Sequence, residues 1–297
     1  MREPLFPYSQ ILQKEKRNKD LDRTIFISAQ LPDLSMLNLI ETILLGVVQG
    51  LTEWFPVSSS GHLAMIQIIL GVKVDIFLDM VLHLGTLLVI VVEFRDDIWM
   101  IIRDIIQGRL HGEAAKMGLL VISGSVPTAL IGFAFYEDFR SSFNDPFVIG
   151  TAFAISGSVL YLSRNRAQGE QRILRFSDSI LIGVAQGVSI IPGISRSGLT
   201  ISTGILLGLK REEAFRYSFL LSIPAILGAV LLEVANQPSI QIDYNGSLVG
   251  FIVAVVVGYA SLFLLWKMVE RDRLQYFRYY CWLASCVAIS YATARML

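Results

Sequence analysis

Ile43-Leu-Leu-Gly-Val-Val-Gln-Gly-Leu-Thr-Glu-Trp-Phe-Pro-Val-Ser-Ser-Ser-Gly61 decides the fold, because the chain repeats it. It aligns without a gap on Ile180-Leu-Ile-Gly-Val-Ala-Gln-Gly-Val-Ser-Ile-Ile-Pro-Gly-Ile-Ser-Arg-Ser-Gly198. Gly46, Gln49, Gly50, Ser58, Ser60 and Gly61 fall on Gly183, Gln186, Gly187, Ser195, Ser197 and Gly198. Two copies of an apolar helix broken by a Pro/Gly/Ser loop point to a binding site near the middle of a membrane. The copies differ in their chemistry: Glu53, Ser59 and His62 belong to the first alone, Arg196 to the second.

Composition agrees with a membrane setting. Of 297 residues, 54% are hydrophobic and only 17% charged, against about 25% charged in a typical soluble domain. Mean hydropathy is +0.58. The zero formal net charge gives no sign of nucleic-acid binding. Cys281 and Cys286, the two cysteines, are too few for a disulfide framework or a zinc site and read as packing. Residues 1–35 are polar, with Arg2, Lys14, Lys16, Arg17, Lys19 and Arg23 set against acidic residues. No apolar core follows them as it would in a signal peptide, so the arm reads as poorly ordered, and translation is expected to begin at Met36.

The membrane domain then covers 36–297, with repeat one at about 38–163 and repeat two at about 179–297. Crossing a bilayer takes roughly 17–25 apolar residues. Six runs qualify: Ile76–Val92, Met117–Tyr136, Phe147–Leu162, Glu213–Leu232, Ser247–Trp266 and Tyr280–Met296. The repeated segments, about 38–71 and 179–208, read instead as pairs of short helices around a turn. The expected fold is therefore all-α and polytopic: six transmembrane helices plus two re-entrant helix hairpins.

Basic residues set the orientation. Arg95, Arg103, Arg109 and Lys116 form one group, and Arg164, Arg166, Arg172 and Arg175 a second. Lys210, Arg211 and Arg216 form a third, Lys267, Arg271, Arg273 and Arg278 a fourth. All four lie inside if the hairpins do not cross, while loops 137–146 and 233–246, whose one basic residue is Arg140, lie outside. Three spans separate the copies, so the duplication is expected to be inverted, hairpin one entering from outside and hairpin two from inside. The basic N-terminal arm then lands outside, against the rule.

Irregular backbone at membrane depth is tolerated where protein or a watery cavity surrounds it. An ionisable side chain there costs about 2.5–3.5 kcal/mol on insertion scales. Glu53 and Arg196 are cheapest when the two hairpin tips share one polar cavity. Gln49 and Glu53, four residues apart, lie on one helical face and can hold a hard cation; Mg²⁺ favours one or two carboxylates together with substrate phosphate oxygens. Ser58, Ser59, Ser60, Gly61 and His62 bring hydroxyls, a helix N-terminus and an imidazole. Ser195, Arg196, Ser197 and Gly198 bring the same with a guanidinium, which grips phosphate in a fork. The set suits phosphoryl transfer. For the serines, close helix packing is an equal alternative. His83, inside an apolar span, reads rather as a structural hydrogen bond to a neighbouring helix, and His111 as solvated.

Gly46-Val-Val-Gln-Gly-Leu-Thr-Glu-Trp-Phe-Pro-Val-Ser-Ser-Ser-Gly-His62 and Pro192-Gly-Ile-Ser-Arg-Ser-Gly198 resemble the two signature motifs of the bacterial undecaprenyl-diphosphatase family, the bacitracin-resistance type. The likeness runs from about Met36 to the C-terminus and includes His83-Leu-Gly-Thr86 and Ser218-Phe-Leu-Leu-Ser-Ile-Pro224. It implies a multi-pass hydrolase of the bacterial plasma membrane, whose partners are membrane lipids and a polyprenyl diphosphate that it converts to the monophosphate carrier for envelope polymers. By position, the resemblance makes Glu53 and Gln49 metal ligands for Mg²⁺ or Ca²⁺, with Glu53 also an acid/base candidate. It makes Ser59 the nucleophile, His62 the catalytic histidine, and Ser195, Arg196, Ser197 and Thr200 diphosphate-binding residues. Gln49 stands where some members carry a second glutamate, which leaves a single cation as the simplest expectation. The rival reading is a secondary transporter or flippase for a polyprenyl phosphate or small anion, with Arg196 binding substrate and His62 or Glu53 coupling protons. The crowding of nucleophile, base and metal ligand into Glu53–His62 argues for the hydrolase.

Overall fold

The computed structural model describes residues 39–71, 76–164, 173–236 and 244–296. The polar arm 1–35 and Met36 lie outside them. Twelve α-helices make up the described residues, with one 3₁₀ turn at Leu274–Tyr276. Repeat one contributes α1 (Leu39–Thr52), α2 (Ser59–Leu70), α3 (Ile76–Glu93), α4 (Arg95–Ile106), α5 (Glu113–Ala134), α6 (Tyr136–Ser142) and α7 (Pro146–Ser163). Repeat two contributes α8 (Phe176–Val188), α9 (Arg196–Leu206), α10 (Arg211–Asn236), α11 (Tyr244–Glu270) and α12 (Phe277–Met296).

Among the described residues five helices are long and apolar enough to cross a membrane: Ile76–Glu93, Glu113–Ala134, Pro146–Ser163, Arg211–Asn236 and Asn245–Glu270. The protein is thus all-α and multi-pass. The sixth expected span is a helix of 20 residues, Phe277–Met296, but Arg278, Arg295 and three tyrosines take it below the apolarity of the other five. Both repeated segments form two short helices around a turn. At 1.5 Å per residue, helices of 11 to 14 residues span roughly 16–21 Å, short of the hydrocarbon thickness.

Two helices occupy stretches expected as loops. Arg95–Ile106 carries charges on one side and Ile98 and Ile101 on the other, packed against the core, so the basic group read there sits on an amphipathic helix. Tyr136–Ser142 adds a short helix in the loop expected at 137–146.

The repeated glycines explain how the copies are held. The first half-helix of each copy lies along a long helix of the other, α1 against α11 and α8 against α5. A Cβ at Gly46 would stand 2.9 Å from the Gly250 carbonyl oxygen, and one at Gly50 2.8 Å from the Gly258 nitrogen. In copy two, Gly183 abuts the Gly124 carbonyl and Gly187 the Ile131 side chain. Small residues let backbones touch where lipid offers no hydrophobic drive between helices. The same two glycines do this in both copies, which brings the breaks at 53–58 and 189–195 together in the interior.

Candidate active site

The turns meet through backbone and serine. Ser58 caps α2, its Oγ accepting the Gly61 N–H at 3.2 Å, and accepts the Gly193 N–H of the other turn at 3.0 Å. Ser195 caps α9 in the same way, accepting the Gly198 N–H at 3.1 Å, and its own N–H donates to Ser156 Oγ at 2.9 Å. N-cap hydroxyls satisfy donors that a helix start leaves orphaned. A Cβ on Gly61 would come within 2.7 Å of the Gly193 Cα, so no side chain separates the tips. Ser58 differs from Ser195 in its backbone: its φ is +68° against −76°, a left-handed value that non-glycine residues adopt at a cost of about 1–3 kcal/mol.

Ser59 and Arg196, the first residues of α2 and α9, hold the same position in the two copies, and both reach Glu53. Ser59 Oγ donates to Glu53 Oε2 at 2.5 Å, and Arg196 Nη2 donates to Glu53 Oε1. Gln49 Nε2 donates to Glu53 Oε2 at 3.0 Å. The Glu53 side chain is only 2% exposed, so its charge is matched by hydrogen bonds and one guanidinium rather than by water. Ser197 faces the Phe55 carbonyl at 3.4 Å, and Thr200 Oγ1 lies 2.5 Å from Ser218 Oγ. Arg196, Ser197, Ser218, Phe219 and Ser222 line a small recess beside Glu53 and Trp54. Ser60 remains on the first turn, 3.2 Å from Ser58 Oγ.

Two histidines lie close to the turns. His62 turns away from Glu53: its Nδ1 bonds the Ser58 carbonyl at 2.7 Å, its Nε2 bonds the Tyr280 hydroxyl at 2.6 Å, and its ring stacks on Tyr280. The reason lies in its partners: the Ser58 carbonyl takes one ring nitrogen, the Tyr280 hydroxyl of α12 the other, and Phe153 meets the ring edge-on. His83, expected as a structural bond to a neighbouring helix, instead bonds its own α3 at the Asp79 carbonyl and brings Nε2 to 3.8 Å from Glu53 Oε2. Sequence reading missed His83, Ser156, Ser218 and Tyr280. An ionisable residue within an apolar span was the available signal for His83.

The fit to a cation rests on Gln49. Its Oε1 is buried with no hydrogen-bond partner, beside a carboxylate that offers about four acceptor positions and shows three donors. One carboxylate and one amide oxygen suit Mg²⁺ or Ca²⁺ when substrate phosphates complete the shell. Among the described residues no group of three or more His, Cys, Asp or Glu side chains could hold a metal, so the donors here suffice only together with an anionic substrate.

The described residues thus define a many-helix membrane protein in which a carboxylate, a hydroxyl and an arginine are joined at two broken helices. Residues 42–287 match the family described as bacitracin resistance protein BacA. An undecaprenyl-diphosphatase of Carboxydothermus hydrogenoformans is 42% identical over 255 residues, 83% of this chain and 95% of that protein. Undecaprenyl-diphosphatases of Methanococcus vannielii (41% over 254 residues, 84% and 99%) and Methanosphaera stadtmanae (37% over 270 residues, 86% and 98%) are similar to it as well. The chain belongs to the BacA family.

Proposed function

We propose that this chain hydrolyses undecaprenyl diphosphate to undecaprenyl phosphate and inorganic phosphate, returning the lipid carrier to envelope polymer synthesis. The observation that carries the reading is the convergence of Ser59 and Arg196, one from each turn, on the single buried carboxylate Glu53. Membership of the family and relatives bearing that enzyme's name support it.

The residues divide the work as follows. Arg196 and the first turn of α9 receive the terminal phosphate, the guanidinium exchanging its bond to Glu53 for phosphate oxygens. Ser59 Oγ, already donating to Glu53 Oε2, attacks the terminal phosphorus and passes its proton to that oxygen. Undecaprenyl phosphate leaves with the electron pair of the cleaved P–O bond and the proton that Glu53 received, and a phosphoryl group stays on Ser59. Ser58, Ser60, Gly61, Ser195, Ser197, Gly198 and Thr200 shape and cap the turns around this point. A divalent cation, Mg²⁺ or Ca²⁺, would be held by Glu53 and Gln49 Oε1, supplying charge neutralisation for the diphosphate. The hydroxyl-to-carboxylate bond has no part in transport, which weighs against a carrier.

The finer topology belongs to the same reading. Six crossings, with Phe277–Met296 as the last, and two hairpins inserted from opposite faces are supported by the reciprocal packing of α1 on α11 and α8 on α5. We place the protein in the plasma membrane; its relatives include archaeal proteins, so the reading does not require a bacterial one.

The test is phosphate release from undecaprenyl diphosphate by the purified protein in detergent, with no gradient. Turnover is expected, abolished by a chelator and restored by Mg²⁺ or Ca²⁺. Substrate binding without phosphate release overturns the hydrolase, and full turnover in chelator overturns the cation.

A further inference from the structure

We infer that His83 holds, together with Glu53, the water that releases phosphate from Ser59; the inference rests on the phosphatase reading above. His83 Nδ1 lies 2.9 Å from the Asp79 carbonyl oxygen and 3.6 Å from Asp79 Oδ2. The carbonyl can only accept, so Nδ1 carries the hydrogen, and in the neutral ring Nε2 is left with a bare lone pair. That lone pair faces Glu53 Oε2 at 3.8 Å. Two acceptors at this distance do not bond each other, but one water donating an O–H to each, at about 2.8 Å, spans them. A water held by both hydrogens presents its own lone pairs outward. Glu53 Oε2 is also the oxygen that receives Ser59, so the water stands next to the serine that carries the phosphoryl group.

The His83 side chain is 24% exposed and that of Glu53 2%, so His83 is the more open end of the pair. Thr86 Oγ1 donates to the His83 carbonyl at 2.9 Å, tying down the same turn of α3.

The step balances without a further reactant. The water oxygen forms a bond to phosphorus and the bond from phosphorus to Ser59 Oγ breaks. Glu53, a carboxylate again once undecaprenyl phosphate has carried its proton away, receives one hydrogen of the water and hands it to Oγ, which keeps the electron pair of its broken bond. The other hydrogen remains on the released group, which leaves as hydrogen phosphate. His83 gains and loses no proton. It is a positioning residue for the water.

The experiment uses the full chain in detergent and undecaprenyl diphosphate labelled with ³²P in its terminal phosphate. H83L is expected to release about one equivalent of undecaprenyl phosphate per protein in a burst, then turn over at least about tenfold below wild type, with label held on Ser59. H83Q keeps an acceptor oxygen and is expected to turn over within about fivefold of wild type with no label retained. H83L turning over like wild type, or losing burst and steady rate together with no label on the protein, overturns the inference. Should H83L not elute as a folded species, H83N, whose shorter amide falls short of the water, is read by the same outcomes. A wild-type protein that releases no phosphate refutes the phosphatase reading itself, whereas an active wild type with a slow, unlabelled H83 variant refutes only the role of His83.

Discussion

Copy one and copy two of the repeat have nearly the same scaffold and unlike chemistry. Each has a glycine pair that lets its first half-helix touch the other copy, a buried glutamine between the two glycines, and a serine capping the second half-helix. Where copy one has Glu53, copy two has Ile190; where copy one has Ser59, copy two has Arg196. Gln49 donates to Glu53, whereas Gln186 donates to the Leu221 carbonyl at 3.2 Å. The duplication supplied two ways to bring a helix start to the same point. Divergence then placed a negative and a nucleophilic group on one and a positive group on the other. An evenly equipped pair would have set like charges against each other at a buried site, which costs far more than an opposed pair.

Removing the cationic half tests this division most severely. R196A is expected to lower phosphate release by about 10³-fold, as losing a charge-stabilising donor does, and R196K should not restore it, because the fork geometry is lost. Turnover at saturating substrate measures it, and a loss below tenfold would make copy two a mere scaffold. Next comes the nucleophilic half. S59A should lose at least about 10²-fold while S60A loses less than about tenfold, since only Ser59 touches the carboxylate; equal losses would erase the distinction between neighbouring serines.

A third contrast is steric. A Cβ at Gly61 meets the Gly193 backbone at 2.7 Å, but at Gly198 it meets the Pro56 and Ser195 side chains at 3.0 and 3.1 Å. G61A should therefore destabilise by about 1–3 kcal/mol and G198A by less, as read from thermal unfolding in detergent; the reverse order would show that the tips approach differently. The smallest effect is expected at α12. Y280F removes the hydroxyl bonded to His62 while keeping the stacked ring, and should cost about 1 kcal/mol of stability or less with turnover within about threefold. A large loss of turnover would return His62 to the reacting atoms.

Much of this was legible in residues alone, and for definite reasons. The repeat was visible because its glycines sit where helices touch and its serines cap the second half-helices. The meeting of Glu53, Ser59 and Arg196 followed from the cost of isolated charge in a membrane. The approach of His83 to Glu53 was not legible, because it depends on how α3 packs beside the first turn. Motif proximity favoured His62, nine residues from Glu53, over His83, which comes from the next helix. The amphipathic helix at Arg95–Ile106 was hidden by its charges, although Ile98, Ile101 and Ile105 recur at helical spacing. The Tyr280 hydroxyl and Ser156 could be found only from contacts between distant segments.

The salt link between Arg196 and Glu53 has a consequence for the resting protein. Because the guanidinium already grips an anion of the chain, an incoming phosphate does not neutralise a bare cation; it takes over from an understudy. The arginine trades partners, and the carboxylate thereby set loose is the one that already holds the Ser59 hydroxyl. Arrival of substrate would thus switch on its own proton acceptor, and departure of phosphate would switch it off. A protein that waits in lipid between turnovers would spend that time with its reactive charges folded into each other.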